Sequence, residues 1–328
     1  MNQTRNYLFT LLCLTAAMAM TPLFVTNRYI LDMIILFCVW SAVASQWNLL
    51  MGQAGIFSLA QMAIFTVGGY VTAILGTHLG IAPAWSLLPA GIICALFGLL
   101  IGLPCLRLKG AYVALLTLSA HYVVYLLVLA DTSGFTGGSY GLYGFGDYGF
   151  RALLGPRKEI IGDYYIAIVL FFIMVAVAYF LSRSPLGLAF NALRDSEAYA
   201  EARGIGRYKH QLLVFTITSF FIGVAGSFYG THLKLVDTTS FDFGTIMALL
   251  AIMVIGGQRH NWGPMLGCAL VIVLNEALRG IPEWRAIVIA FVTIAVLLIW
   301  PLGIATFIDQ MLSRLRRRRR AHLASASS

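Results

Sequence analysis

Apolar runs long enough to cross a lipid bilayer follow one another along almost the whole chain. A transmembrane α-helix needs about 20 predominantly apolar residues, and runs of roughly this length recur from the N-terminal region to residue 307. Hydrophobic residues make up 60% of the sequence and charged residues only 11%, whereas soluble domains carry about 25% charged residues. The sequence therefore predicts an all-α integral membrane protein and excludes a soluble domain.

The apolar runs predict about ten transmembrane helices in a domain that covers residues 1–312. The first run has two interpretations. Arg5 and the apolar residues that lead to Ala17-Met18-Ala19 resemble a cleaved signal peptide, but the run continues to Val25, which favours a retained helix. This first run lies within residues 1–28. The second predicted span is 29–50, and the third begins with residues 51–61. The fourth to tenth predicted spans are 84–106, 111–130, 164–181, 212–231, 243–256, 263–278 and 286–307.

The third span begins with glycine and polar residues at membrane depth. Residues 51–61 include Gln53, Ser58 and Gln61 among two glycines. Non-helical backbone inside a bilayer is tolerated where protein or a water-filled cavity receives the freed polar groups. We therefore predict one broken or re-entrant segment beside a transport pathway. A polar cytoplasmic turn followed by a plain helix is the alternative.

The fifth span carries Thr117, Ser119 and His121 near its middle. A histidine in lipid is costly unless it is paired or hydrated, so intramembrane histidines commonly mark a pathway. These three residues and the polar residues of segment 51–61 are the predicted substrate pathway. A His121 that is simply hydrogen-bonded to a neighbouring helix is the alternative.

Two further charged residues, Asp32 and Glu276, lie near membrane depth, and the sequence shows no evident partner for Asp32 at that depth. Glu276 could pair with Arg279 or lie at the external boundary. An ion-coupled secondary transporter would need paired charges deep in its spans, so that mechanism is the weaker alternative. No catalytic constellation is evident, and an enzyme is not predicted.

Glycines spaced four residues apart occur in three of the predicted spans. Glycine at this spacing lets two transmembrane helices approach each other closely. The predicted helix-packing pairs are Gly98 with Gly102, Gly226 with Gly230, and Gly263 with Gly267.

Two polar segments connect the spans at their ends. Segment 182–211 holds five Lys/Arg residues and two predicted short helices, one capped by Ser184 with Pro185 at its first position and one ended by Gly204. Segment 131–163 is rich in glycine and tyrosine and predicts an ordered external loop. Since cytoplasmic segments are enriched in Lys and Arg, segment 182–211 is predicted to face the cytoplasm.

The C-terminal residues 313–328 form a basic tail with six arginines. This tail carries most of the charge asymmetry that predicts cytoplasmic termini. It is expected to attract anionic lipid headgroups, so the net charge of +9 does not require a nucleic-acid partner.

No metal or cofactor is predicted. The sequence contains no H-E-x-x-H pair and no G-x-x-x-x-G-K-[ST] phosphate loop, so any ATP would be bound by another chain. The five cysteines have no C-x-x-C spacing and are predicted to be small buried hydrophobic residues.

The chain carries five recognisable motifs between about residues 30 and 300, which are Gly52–Gln61 (G-x-x-G-x-x-S-L-G), Arg107–Tyr112 (R-L-R/K-G-x-Y), Thr136–Leu142 (T-G-G-x-x-G-L), Ala192–Ala198 (A-x-R-D-x-E-x-A-A) and Gly256–Gly267 (G-G-x…G-P-x-x-G). In sequence and in order, these motifs resemble those of the permease subunits of branched-chain amino-acid ABC importers, and of the LivM-like member in particular. Ala60 replaces the usual glycine and Gln61 the usual histidine. These departures leave the substrate open, and urea and short-chain amide importers share the same permease fold.

The resemblance implies the permease subunit of an ATP-driven importer in the bacterial inner membrane. Implied partners are a second permease, two cytoplasmic ATPases and a periplasmic or extracellular substrate-binding protein. In this family the loop corresponding to 182–211 docks on the ATPase. The residues that match the docking motif are Arg194, Asp195, Glu197, Ala198, Ala202 and Gly204.

Overall fold

A computed structural model describes residues 2–24, 27–150, 155, 158–258, 260–300, 303–307, 309 and 311. The basic tail and Arg259 lie outside the described residues, as do Arg151 and Arg157 of the predicted external loop. The helices are α1 (Asn2–Phe24), α2 (Arg28–Asn48), α3 (Gln61–Leu79), α4 (Pro83–Cys105), α5 (Ala111–Leu129), α6 (Glu159–Arg183), α7 (Pro185–Asp195), α8 (Glu197–Ala202), α9 (Arg207–Leu233), α10 (Phe243–Gly256), α11 (Gly263–Ala277) and α12 (Pro282–Ile299). The chain is an all-α membrane protein.

Within the described residues, seven helical segments are long and apolar enough to cross a membrane. They are Arg28–Gln53, Gln61–Leu79, Pro83–Cys105, Ala111–Leu129, Glu159–Arg183, Arg207–Leu233 and Trp284–Phe307. Three shorter apolar helices cover Phe9–Pro22, Phe243–Gly256 and Gly263–Ala277. That these three shorter helices also cross the membrane, which would give about ten crossings, stays a prediction.

The chain divides into two compact units, Met1–Ile246 and Met247–Ser328. In the first unit α9 packs against α3 and α4, and α2 packs against α6. Contacts between α1 and α6 include stacked rings of Tyr7 and Tyr179 and a hydrogen bond from the Tyr164 hydroxyl to the Met18 carbonyl.

Glycines allow the close approach of α9 to its neighbours. A Cβ at Gly226 would overlap the Phe65 carbonyl oxygen of α3, and a Cβ at Gly98 would overlap the Ser219 side chain of α9. Gly230 lies beside Val236 and Gly69, whereas Gly102 has more room, with its nearest α9 atom 3.2 Å from a built Cβ. Small residues at a helix interface permit such backbone contact.

The described residues between α5 and α6 form a loop that contains a short strand. Its strand β1 (Leu142–Tyr143) pairs antiparallel with β2 (Leu235–Val236), which follows α9. The Asp131 carboxylate accepts hydrogen bonds from the backbone and hydroxyl groups of Ser133 and Thr136, and these donors hold its pKa below the usual value. The described part of the predicted external loop is thus ordered, and it ends earlier than expected because α6 begins at Glu159.

In the second unit, glycines allow close backbone contact between α10 and α11, and Gly303 after α12 lies against Gly257. A Cβ at Gly263 would overlap the Gly257 carbonyl oxygen, and one at Gly267 would overlap the Ile252 carbonyl oxygen. The imidazole of His260 lies 2.8 Å from the Asp309 carboxylate. Glu276 and Arg279 lie 3.9 Å apart.

Several helices extend beyond the predicted spans. α9 begins at Arg207 rather than at residue 212, and α12 begins at Pro282 rather than at 286. Hydropathy marks the part of a helix that suits lipid, whereas the helix itself continues through polar residues at its ends. Cys13 is exposed, unlike the other four cysteines, which are buried as expected.

Candidate translocation and coupling site

The helix that contains α2 is interrupted before α3 begins. It widens into a π-helical turn at Leu49–Gln53, and residues 54–60 then form an irregular segment with a positive φ of 71° at Gly55. We call residues 49–60 the interrupted segment. Most of it is buried, including Gln53 and Ser58. The predicted break in the helix is therefore present in the fold.

Side chains from other helices satisfy backbone groups of the interrupted segment. The Trp47 indole donates to the Ser58 carbonyl at 3.0 Å, and the Leu59 N–H donates to the Thr117 hydroxyl oxygen at 2.9 Å. Non-helical backbone at membrane depth requires such partners. Thr117 of α5 is thus part of the interrupted segment's immediate surroundings.

His121 lies one helical turn beyond Thr117 and is also fully buried. Its Nε2 donates to the Phe241 carbonyl oxygen at 3.0 Å, and its ring packs edge-on against the Phe241 ring. Among the described residues its Nδ1 has no hydrogen-bond partner. This nitrogen is therefore a buried polar atom available to a ligand or to water.

Gln61, the first residue of α3, is fully buried, and neither atom of its side-chain amide has a hydrogen-bond partner in the described part of the chain. An unsatisfied buried polar group costs about 1 to 3 kcal/mol. Gln61 and His121 together therefore bring three unsatisfied polar atoms into the interior of the first unit.

Ser119 lies away from the other predicted pathway residues. It is exposed, and its hydroxyl donates to the Leu115 carbonyl of its own helix. Residues 117 and 121 share one face of α5, whereas residue 119 points to the opposite side because the helix turns about 100° per residue. Ser119 can therefore line only a path that runs along the exposed side of α5.

The segment that follows α6 contains the two short helices expected from the sequence. The Ser184 hydroxyl caps α7, whose first residue is Pro185, and the Ser196 hydroxyl caps α8. Gly204 has a φ of 83°, which favours glycine. Asp195, Ala198 and Ala202 are exposed on these helices, so they are accessible to a partner protein.

Arg194 joins α7 to the interrupted segment. Its Nη1 donates to the Gly52 carbonyl oxygen at 2.7 Å, while its Nε and Nη2 donate to the Asp195 carboxylate at 3.0 and 2.9 Å. A Cβ built at Gly55 would lie 2.7 Å from the Arg194 side chain. The motif that matches the ATPase-docking loop therefore touches the segment expected to line the pathway.

Glu197 of α8 is paired with two cations of its own chain. Its carboxylate lies 3.0 Å from Lys109 Nζ and 3.3 Å from Arg207 Nε. Arg207 also donates to the Gln211 side chain and to the Leu108 carbonyl oxygen. The pairing with Lys109 is not visible in the sequence of segment 182–211, because Lys109 lies in a different loop and is brought to α8 only by the tertiary fold.

A cavity of about 190 Å³ opens beside this ion-pair cluster. Its lining includes Gly55, Phe57, Lys109, Glu197, Arg207 and Gln211. The cavity therefore adjoins both α8 and the interrupted segment. We call the end of the first unit that contains α7, α8 and the interrupted segment the coupling end.

A second charged cluster lies at the opposite, distal end of the same helices. His232 Nε2 lies 2.8 Å from the Asp32 carboxylate, and His232 Nδ1 lies 3.0 Å from the Asp163 carboxylate. The sequence showed no partner for Asp32, and the fold supplies one from 200 residues away. A signal was present, since Asp32 and Asp163 lie near the starts of their helices and His232 lies near the end of its helix. Among the described residues, no cluster of three or more His, Cys, Asp or Glu side chains is arranged to hold a metal ion.

Comparisons with known proteins agree with the motifs. The family model for the permease component of branched-chain amino acid transport systems matches residues 29–297. The chain is 28% identical to the high-affinity branched-chain amino acid transport system permease protein LivM of Escherichia coli K12 and to that of Salmonella typhimurium, over 86% of this chain and 71% of each relative.

A more distant relative is the guanosine ABC transporter permease protein NupQ of Bacillus subtilis. It is 25% identical over 69% of this chain and 74% of its own length. No solved structure shows a significant match. The match to the family model covers most of the chain, and the chain belongs to the permease family of branched-chain amino acid ABC transport systems.

Proposed function

We propose that this chain is the LivM-like permease subunit of an ATP-driven importer for branched-chain or other hydrophobic amino acids. The long match to the LivM proteins supports this substrate class. The subunit crosses the bacterial inner membrane about ten times, with both termini in the cytoplasm. It works with a second permease, two cytoplasmic ATPases and a substrate-binding protein outside the membrane.

Within this importer the substrate pathway passes the interrupted segment and the buried face of α5. The observation that carries the proposal is the set of unsatisfied polar atoms on Gln61 and His121. A folded interior rarely leaves such groups without partners. We therefore expect water or polar groups of the substrate to form hydrogen bonds with these atoms during transport. Gln53, Ser58 and Thr117 are the other polar residues of this pathway, and Ser119 belongs to it only if the path includes the exposed side of α5.

ATP-driven motion reaches this pathway through α7 and α8. The ATPase contacts the exposed surface that includes Asp195, Ala198, Ala202 and Gly204. Arg194 then transmits the movement, since its guanidinium binds the Gly52 carbonyl at 2.7 Å. Glu197 contributes by holding α8 in place through its ion pairs with Lys109 and Arg207, so its role does not depend only on a direct contact with the ATPase.

Replacing His121 tests the location of the pathway. His121→Ala should reduce transport about tenfold, as expected for loss of a buried hydrogen-bonding side chain worth roughly 1 to 2 kcal/mol. Assembly with the ATPases should persist. Ser119→Ala is the matched control on the exposed side of the same helix and should transport normally. A transport defect in Ser119→Ala together with normal transport in His121→Ala would place the path on the exposed side instead.

Replacing Glu197 tests the role of α8. Glu197→Gln should weaken co-purification of the ATPase several-fold, because α8 loses two ion pairs, each worth up to about 1 kcal/mol at a partly exposed site. Glu201→Gln, on the same short helix at an exposed position, should bind the ATPase like the wild type. Equal ATPase binding by the wild type and both variants would show that the ion pairs of Glu197 do not contribute to ATPase docking.

The substrate is tested through the soluble partner. The substrate-binding protein that delivers solute to this permease should retain leucine, isoleucine or valine when it is purified and its ligand is identified by mass spectrometry. Retention of urea or a short-chain amide would instead assign this chain to the urea and short-chain amide importers, which share the permease fold. Retention of guanosine would instead place the chain with its more distant relative.

A further inference from the structure

One buried histidine joins three helices at the distal end of the first unit. His232 is the penultimate residue of α9 and is 7% exposed at its side chain. Its two ring nitrogens face Asp32, the fifth residue of α2, and Asp163, the fifth residue of α6. The ring thus bridges the carboxylates of two helices from a third.

The two distances favour one chemical form of the ring. A neutral imidazole carries one N–H and one lone pair, so it can donate to only one carboxylate. At the other nitrogen a lone pair would then face a carboxylate oxygen at 3.0 Å or less. An imidazolium donates from both nitrogens and makes both contacts favourable. The carboxylates near helix N-termini and the cation near a helix C-terminus also match the helix dipoles.

Aromatic side chains surround the His232 ring in the described part of the chain. On α9 the Phe228 ring stacks on His232, and Tyr148 from the loop before α6 stacks on Phe228. Tyr229 is a neighbour of Asp32. The nearby pair of Lys234 and Glu159 neutralises itself. Among the described residues, Asp32 and Asp163 are the charged groups in contact with the His232 ring, so we treat them as its charged partners.

The other ends of the same three helices lead to the coupling end. α2 continues into the interrupted segment, α6 is followed directly by α7, and α9 begins at Arg207, which is paired with Glu197 of α8. A junction that fixes the distal ends would convert a displacement of α7 and α8 into a tilt of α2, α6 and α9 about that junction. Without it, the same displacement would slide the helices past one another.

We propose that His232 is a positioning residue for transport. As an imidazolium held between Asp32 and Asp163, it keeps the distal ends of α2, α6 and α9 together while their coupling ends move. The mechanical role rests on the proposed function as an ATP-driven importer, whereas the form of the ring does not depend on it.

The form of the ring is tested by nitrogen NMR of the full complex in nanodiscs, with ¹⁵N-labelled histidine in this chain. His232 is assigned by the signals that disappear in His232→Gln. We expect protons on both ring nitrogens of His232 at neutral pH. A neutral ring with one bare nitrogen would overturn the proposal whether or not the complex transports amino acids.

The mechanical role is tested by counting molecules transported per ATP hydrolysed in proteoliposomes. His232→Gln should lower this ratio about fivefold or more, within the range for residues that carry coupling between sites, while ATP hydrolysis continues. Lys234→Gln, which removes the separate ion pair at the same end, should keep the wild-type ratio. If His232→Gln does not assemble, Asp32→Asn is used, because Asp32 is partly exposed and its loss leaves Asp163 in place.

An unchanged ratio in the assembled variant would overturn the positioning role and leave a purely structural contact. A wild-type complex that transports no solute with ATP would contradict the proposed function itself, and the NMR result would still decide the state of His232. The two failures are therefore distinguishable.

Discussion

Gly226→Ala should prevent recovery of the assembled permease. The added Cβ would overlap the Phe65 carbonyl oxygen, which is backbone and cannot rotate away. Relief would require α9 and α3 to separate along their shared interface. Overpacking costs about 1 to 3 kcal/mol and occasionally more, and a clash with backbone is expected to fall at the upper end. The measurement is the yield of monodisperse complex from membranes, with thermal stability of whatever protein is recovered.

Gly102→Ala is the matched control for this prediction. Gly102 also faces α9, but the nearest atom would lie 3.2 Å from the new Cβ and belongs to the flexible Leu212 side chain. We expect a stability change within about 1 kcal/mol, because a side chain can shift by a few tenths of an ångström. Equal yields of Gly226→Ala and Gly102→Ala would show that close backbone contact at Gly226 is not required.

Arg194→Ala should separate ATP hydrolysis from transport. The variant loses the charged donor to the Gly52 carbonyl, so movement of α7 no longer reaches the interrupted segment through this contact. A hydrogen bond from a charged group contributes about 1.5 to 3 kcal/mol, which corresponds to a fall in transport of roughly tenfold or more. Transport and ATP hydrolysis are measured in the same proteoliposomes.

Two variants separate this role from a general effect of charge. Arg203→Ala removes an exposed arginine of the same segment, whose guanidinium donates to the Tyr199 hydroxyl, and should transport normally. Arg194→Lys keeps the charge but lacks the planar fork that binds Asp195 and Gly52 together, so an intermediate defect is expected. Full transport by Arg194→Ala would contradict the coupling role of Arg194.

Much of the fold could be predicted because membrane helices leave strong local signals. The break before α3 was visible in the glycines and glutamines of residues 51–61, since polar residues at membrane depth need a special environment. The cap of α7 was visible as Ser184 with Pro185. These features depend on residues close together in the sequence.

The remaining features depend on how distant helices are rotated and paired. Thr117 and Ser119 are two residues apart, yet Thr117 is buried and Ser119 is exposed. Hydropathy cannot predict which side of a helix is buried when the helix is apolar on all sides. The link between Asp32 and His232 spans 200 residues. Likewise, Lys109 and Glu197 come together only after α5 and α8 are placed in the fold.

ATP-dependent uptake by the reconstituted complex is the most direct test of the proposal that this chain is the permease of an ATP-driven importer. The permease, its partner permease, the ATPases and the binding protein are placed in proteoliposomes, with radiolabelled leucine outside the vesicles and the ATPases supplied with ATP. We predict uptake that requires ATP and is unaffected when a protonophore collapses the proton gradient. Uptake that proceeds without ATP and stops with the protonophore would contradict an ATP-driven importer and support an ion-coupled transporter.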